Sequence, residues 1–464
     1  MASRIEKDWK PGERGWAKLV GCSSCGMQSI NPRNIHSPIT LRYRSDRIVT
    51  KDEVNEMALE APPWLNIDLI ENILRKSKKN DSIRVIDIFI KPATAKGDNY
   101  TSDMYRVIVE MSRRRDDRVV TEKRSFIVKI APQEESTRRN LTEKSSIFHT
   151  EIKVMVDTLK KMNDLLGPEH PLSARVFHVQ REYPEFLMIE DLAILGFRMA
   201  HRQAGLDLDH CLVALRGLAR FHASSVAVCE KEPNTKQLYN KAVYCSQQPS
   251  EIKTIFIQGT KSLVREARKW QELDQKYVDK IEKISDVIYD KTADVVVLRE
   301  DRFNVINHGD MWVNNMMFQY NDEGKPIAVI FVDFQVVVYT TPALDLNYFL
   351  NTSSHEEVFE NKRDLLLMEY LNTLSSTMKQ LGCKTSPPTM KELQRDLEET
   401  AMVGMTCALV SLPLILLDQS KARDLDELLQ ERNVQDHSAC ANLRYRKLIT
   451  KRIPIYDRLG LLDL

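Results

Sequence analysis

Two short polar loops, around residues 310 and 333, constrain this chain more than any other stretch. Asn307-His308-Gly309-Asp310-Met311-Trp312-Val313-Asn314-Asn315 supplies a carboxylate and a carboxamide, and Val332-Asp333-Phe334-Gln335 supplies a second carboxylate. Arg302-Phe303-Asn304-Val305-Ile306 leads into the His308-Gly309-Asp310 turn, and Asn315-Met316-Met317-Phe318-Gln319-Tyr320 reads as the strand after it. The turn-rich run Asn321-Asp322-Glu323-Gly324-Lys325-Pro326 predicts a hairpin. Ile327-Ala328-Val329-Ile330-Phe331-Val332 is then an apolar, β-branched strand with Asp333 at its tip, where packing gives little reason for a charge. Phosphoryl transfer needs such a set. One carboxylate positions the attacking hydroxyl and accepts its proton. The other, with an amide oxygen, holds magnesium against the phosphates of ATP. Asp310 is the candidate general base, and Asn315 and Asp333 are the candidate metal ligands.

The pattern His-Gly-Asp-x-x-x-x-Asn, followed by an apolar strand and Asp-Phe, resembles the catalytic loop of aminoglycoside and choline kinases. The finer pattern is His308-Gly309-Asp310-x-Trp312-x-x-Asn315 with Asp333-Phe334-Gln335 and Pro342-x-x-Asp345-Leu346. It resembles the ecdysteroid-kinase-like family, and the resemblance covers roughly residues 60 to 460. It implies an α+β, two-lobed protein-kinase-like fold, with a β-rich N-lobe over 56–192 and a helical C-lobe over 193–464. It also implies ATP and Mg2+ as cofactors. The acceptor would be a hydroxyl of a lipophilic small molecule: an ecdysteroid, or a xenobiotic alcohol, phenol or glycoside.

The N-terminal half fits that expectation. Leu65, Leu69, Ile70 and Ile73 recur at helical spacing after Pro62-Pro63. Extended runs follow at 83–92, 104–111 and 125–130, then a helix from Phe148 to Leu166 and strands at 176–179 and 186–190. The run Arg113-Arg114-Arg115-Asp116-Asp117-Arg118 reads as a solvated hairpin tip. Lys129 alternates onto the same face as apolar Ile127, so its ammonium needs a partner or an anion. In a kinase N-lobe the third strand carries the lysine that contacts the α- and β-phosphates, and Glu151 in the next helix is its candidate ion-pair partner. The resemblance places a phosphate-covering turn at Gly97-Asp98-Asn99-Tyr100-Thr101-Ser102, with Gly97 and Ser102 as its nucleotide contacts. It also assigns the adenine contacts to backbone groups of Glu190 and Leu192. His308 and Asp345 read as residues that brace the catalytic loop, and His222 as a hydrogen-bonded core histidine.

Composition narrows the partners. Lys+Arg 67 nearly cancels Asp+Glu 66, so no overall field draws the chain to nucleic acid or to an acidic membrane. The first twenty residues lack the apolar core of a signal peptide, and Ala401–Leu417, the most apolar stretch, is short for a bilayer and contains Pro413. It predicts a buried core helix in a cytoplasmic, monomeric protein. Residues 1–55 read as a poorly ordered extension. Cys22 and Cys25 have metal-ligand spacing but no second pair at zinc-finger distance. A protein kinase is disfavoured: no His-Arg-Asp loop, Asp-Phe-Gly triplet or Ala-Pro-Glu segment is present, and Asp345 follows Asp333 too closely for a long activation segment. A nucleotide-binding pseudokinase or scaffold is the other alternative, against which stands the filling of every catalytic position.

Overall fold

The computed structural model describes residues 61–94, 101–116, 118–418 and 439–464. The expectations for residues 1–55, for Cys22 and Cys25 and for Gly97 lie outside the described residues.

Asn66 starts the first helix, α1 (Ile67–Lys78), by accepting the Leu69 N–H on its side chain, and Lys79 closes it in the left-handed region. Next come β1 (Arg84–Pro92), β2 (Asp103–Arg115) and β3 (Arg118–Ile130), and after a helical segment β4 (Val176–Gln180) and β5 (Phe186–Glu190). They form an antiparallel sheet in the order β1-β2-β3-β5-β4. Arg115 pairs with Arg118, so the arginine run is the tip of the β2–β3 hairpin. Strand alternation decides which side chains reach the site. Phe126, Val128 and Ile130 of β3 join Ile70, Ile73 and Leu74 of α1 in one apolar core. Ile127 and Lys129 therefore face the other way, into the cleft beneath the sheet.

The segment between β3 and β4 holds α2 (Thr137–Ser145), α3 (Ile147–Lys153), a π-helical turn over Val154–Thr158 and α4 (Leu159–Leu166). A single regular helix is expected from Phe148 to Leu166; the structure widens its middle. The Leu159 N–H bonds the Val154 carbonyl, five positions back. A π-turn inserts a residue and rotates the register. Here Glu151 is buried against β3 while Leu159 and Met162 stay fully in the core.

The C-terminal lobe contains β6 (Arg198–Met199), α5 (Leu208–Lys231), α6 (Ser250–Ala267), α7 (Gln275–Ile284) and α8 (Ile288–Val296). Short strands follow: β7 (Val305–Asn307), β8 (Met316–Tyr320), β9 (Pro326–Phe331) and β10 (Val338–Thr340). The chain ends in α9 (Ala343–Thr352), α10 (Glu356–Asn361), α11 (Arg363–Gln380), α12 (Met390–Glu399), α13 (Ala401–Ile415) and α14 (Leu443–Arg458). The architecture is thus α+β, with an antiparallel sheet in the N-terminal lobe and a mainly helical C-terminal lobe. The helical stretches 252–290, 356–381 and 391–417 are each divided into shorter helices. Asp274, for instance, caps α7 by accepting the Lys276 N–H. Helix α13 is buried at nearly every position, Pro413 included. Among the described residues α5 is long and apolar enough to cross a bilayer, and 78% of its apolar window is buried inside the molecule. Helices α12 and α13 pass the same test only when taken together, and they are bent by 52°.

Strands β7 and β10 pair with each other, and β8 pairs with both β6 and β9. The polar loop 308–315 joins β7 to β8, and the Asp333 loop joins β9 to β10. This topology sets the two loops side by side.

Candidate active site

Backbone geometry fixes the 308–310 turn. Gly309 has φ +82°, and a Cβ there would lie 2.1 Å from the Val336 carbonyl oxygen. Only glycine fits such a position. Asp345, in the first turn of α9, accepts the N–H of His308 at 2.7 Å and of Gly309 at 2.8 Å. The same carboxylate meets Nε2 of His222 at 3.1 Å, and Nδ1 of His222 meets the Tyr370 hydroxyl at 2.8 Å. His222, Asp345 and Tyr370 are fully buried. Burial holds His222 below its ordinary range, against the pull of Asp345, so the ring is neutral. It donates from Nε2 and accepts from Tyr370. His308 Nε2 donates to the Val332 carbonyl at 3.0 Å, which ties the two loops together. The bracing expected of Asp345 and His308 is thus made by their own hydrogen bonds.

Asn315 donates from Nδ2 to both the backbone oxygen and Oδ2 of Asp310, each at 2.9 Å. Burial pushes the Asp310 carboxyl up, a hydrogen bond from Tyr348 opposes that, and the nearby Asp333 charge adds to it. Asp333 sits in the left-handed region at φ 68°, uncommon for a residue with a side chain. Its Oδ1 lies 2.6 Å from Nζ of Lys129, and the same ammonium is 2.7 Å from Oε2 of Glu151. Burial alone would depress Lys129, but Asp333 and Glu151 more than offset it and hold the ammonium charged. Glu143, the other acidic residue near this helix, is exposed and instead pairs with Arg139.

The donor set left over suits a hard cation. Asn315 has its amide oxygen free of the contact its Nδ2 makes to Asp310, and Asp333 has the carboxylate oxygen that Lys129 does not use. Both residues line the same cavity. Oxygen donors of this kind fit magnesium, whose shell phosphate and water would complete. Among the described residues no group of three or more His, Cys, Asp or Glu is arranged to hold a metal.

Two cavities flank Asp333. The first, of about 400 Å³, lies under β2, β3 and β5 and is lined by Met104, Ile127, Lys129, Glu151, Glu190, Leu192, Met317, Asn315 and Asp333. The second, of about 230 Å³, is lined by Asp310, Asp333, Trp312, Tyr244, Tyr348 and an apolar wall of Leu141, Ile147, Ile252, Ile255 and Phe256. Glu190 and Leu192 thus sit where the first cavity meets the connection between the lobes. Ser102 is buried at the start of β2 and lines neither cavity, whereas its neighbour Thr101 lines the second.

Three further residues belong to the site although sequence alone assigned them no role of their own. Gln335 donates to Glu151 Oε2 at 3.3 Å and accepts from Thr101 at 2.7 Å, so it links the helix of Glu151 to the start of β2. Asp191 accepts from Arg106 at 2.7 Å, Ser125 at 2.6 Å and the Ala193 N–H at 3.2 Å, which fastens the inter-lobe connection to β2 and β3. Burial would raise its carboxyl, but these bonds hold it below its ordinary value. Tyr348 is the third, three positions beyond Asp345 on one helix. That spacing is a signal the sequence does carry.

The sequence model of the ecdysteroid kinase-like family matches residues 96–383. The chain belongs to this family. No curated protein matches it. Among solved structures, an aminoglycoside phosphotransferase from Streptomyces rimosus in complex with ADP and streptomycin is similar at 11% identity, over 73% of this chain and 99% of that one, with a TM-score of 0.32. The ecdysteroid kinase-like motif residues Asp310, Asn315 and Asp333 all fall within the matched span, as do Lys129 and Glu151.

Proposed function

We propose that this ecdysteroid kinase-like protein is an ATP- and magnesium-dependent phosphotransferase acting on a hydroxyl of a lipophilic small molecule. Ecdysteroids and xenobiotic alcohols, phenols or glycosides are the acceptor classes in view. The observation that carries the reading is that Asp333 lines both cavities, between the Lys129–Glu151 pair on one side and Asp310 on the other. A phosphoryl donor and an acceptor would meet there.

In this reading the first cavity takes the nucleotide. Its adenine lies against the backbone of Glu190 and Leu192, and its phosphates lie by Lys129, which Glu151 orients. Gly97 would belong to the turn over those phosphates, and Ser102, buried and lining neither cavity, would support that turn from beneath. Asn315 and Asp333 would hold magnesium, which neutralises phosphate charge as the transfer proceeds. Asp310 orients the acceptor hydroxyl. The acceptor oxygen bonds to the γ-phosphorus, the bond from that phosphorus to the bridging oxygen breaks, ADP leaves with the electron pair, and the hydroxyl proton passes to Asp310. The apolar wall of Leu141, Ile147, Ile252, Ile255 and Phe256 supports a lipophilic acceptor.

The test is turnover with magnesium and ATP against a panel of steroid alcohols, plant phenolics, glycosides and amino alcohols, with the phosphate adduct detected by mass. Adducts confined to lipophilic alcohols or phenols are expected. Adducts on amino alcohols alone would contradict the lipophilic acceptor, and no adduct on any hydroxyl would contradict the reaction.

A further inference from the structure

The wall of the second cavity holds two buried polar atoms that no described residue pairs. Ser145 ends α2 and is 5% exposed, and its Oγ makes no hydrogen bond to any described residue. A hydroxyl inside a helix can bond the carbonyl four positions back. Thr142 of the same helix does so, to Arg138 at 2.8 Å, and Ser145 does not. Gln248, just ahead of α6, donates Nε2 to the Ala242 carbonyl at 2.9 Å. That bond fixes the amide, because the reversed amide would set one oxygen against another. Its Oε1 is then a buried acceptor with no donor among the described residues. Ser145 and Gln248 line the second cavity together with Asp310, Ile252 and Phe256.

Buried polar groups in folded proteins are nearly all paired, and an unpaired one is costly. Two of them in the wall of one cavity are accounted for by a guest that pairs them. In the phosphotransferase reading the reacting hydroxyl gives its single proton to Asp310, so it has none for Gln248. A second donor is required. A second hydroxyl supplies it and also accepts from Ser145. An ammonium would donate to Gln248 but leave the Ser145 proton unmet.

We propose that Ser145 and Gln248 recognise a second hydroxyl on the acceptor: Ser145 donates to its oxygen, its proton goes to Gln248 Oε1, and the acceptor is a lipophilic diol or polyol rather than a mono-ol. The inference rests on the phosphotransferase reading above for the fate of the first hydroxyl. It makes these two residues determinants of which acceptor is taken, and gives them no part in the transfer itself.

The experiment compares naphthol with the dihydroxynaphthalene isomers, by calorimetric affinity and by kcat/KM for transfer with magnesium and ATP. Two fused rings suit a cavity of about 230 Å³, since about 150 Å³ holds benzene. The isomers vary the separation of the two hydroxyls. At least one should bind roughly tenfold tighter than naphthol, with a matching rise in kcat/KM, beyond the roughly twofold that a doubled number of hydroxyls gives. Ser145→Ala and Gln248→Leu should each bring that isomer to within about threefold of naphthol, while naphthol's own affinity and kcat stay within about twofold of wild type. Ser145→Thr keeps a hydroxyl and should keep the preference. Ser145→Ala should melt no lower than wild type, because the hydroxyl it removes has no protein partner, and it carries the test if Gln248→Leu does not fold. No isomer bound more tightly than naphthol, or a preference that survives both variants, would overturn the inference with the phosphotransferase reading intact. A Ser145→Ala protein that melts lower and keeps the preference would show a structural hydroxyl and overturn it as well. A preference that depends on both residues, with no transfer to any isomer, would uphold the second-hydroxyl site and count against the phosphotransferase reading instead.

Discussion

Replacing Asp345 by asparagine should loosen the catalytic turn by a calculable amount. The wild-type carboxylate receives three donors: the N–H of His308 at 2.7 Å, the N–H of Gly309 at 2.8 Å and Nε2 of His222 at 3.1 Å. An amide offers one oxygen and one NH2. His222 can adapt by moving its proton to Nδ1, with Tyr370 turning to accept it. The two backbone N–H groups cannot adapt, so one of them faces a donor in a fully buried site. An orphaned buried donor costs roughly 1–3 kcal/mol, and losing the charge assistance on the remaining bonds adds about 1 kcal/mol. The sum is about 3 kcal/mol, which in a chain of this size corresponds to a melting temperature roughly 3–4 °C lower. Turnover should fall by roughly tenfold or more, because the backbone that aims Asp310 shifts. Nucleotide affinity should hold, since Lys129 and Asp333 are untouched. Scanning calorimetry and nucleotide titration make the measurement. A variant that melts within about a degree of wild type would refute the reasoning, because the deduced orphan would not exist.

Gly309→Ala places a Cβ 2.1 Å from the Val336 oxygen at φ +82°, so it should destabilise by more than about 2 kcal/mol, read as a shifted denaturation midpoint. Lys129→Met should impair ATP positioning with the fold retained, and Glu151→Gln should do so more mildly; the double variant should fall short of their sum, with a coupling of roughly 0.5–3 kcal/mol, and strict additivity would break the proposed pair. His222 is held below its ordinary value by burial, so the unfolded chain takes up a proton at a pH where the folded protein does not. Its contribution to stability is therefore full above about pH 6.5 and is lost as pH falls from there toward the lower folded value. Melting curves at the two ends of that window should show a smaller acid loss for His222→Gln than for wild type.

The parts of the site that follow from local periodicity were legible in the sequence. Alternation on β3 puts Lys129 with Ile127 and opposite Val128, and the structure keeps that division. The turn cluster at 321–326 and the apolar run after it became the β8–β9 hairpin, with Asp333 beyond its end. Helix lengths were less legible, because a single capping side chain such as Asp274 starts a new helix inside an unbroken periodic pattern. The π-turn after Glu151 leaves no compositional mark. Residues whose role depends on a distant partner were hidden for a different reason. Asp191 meets Arg106 across 85 positions, and Gln335 meets Glu151 across 184, so no window of sequence contains both members.

Asp310→Asn tests the central claim most directly, with nucleotide binding measured by calorimetry and single-turnover phosphate transfer measured on the same protein. Lys129, Asn315 and Asp333 remain in this variant, so nucleotide affinity should match wild type. Transfer to the acceptor hydroxyl should fall by roughly two to four orders of magnitude, the range for a positioned acid–base group. Lost nucleotide binding with unchanged transfer per bound nucleotide would contradict the account and move Asp310 into the metal-holding or structural shell.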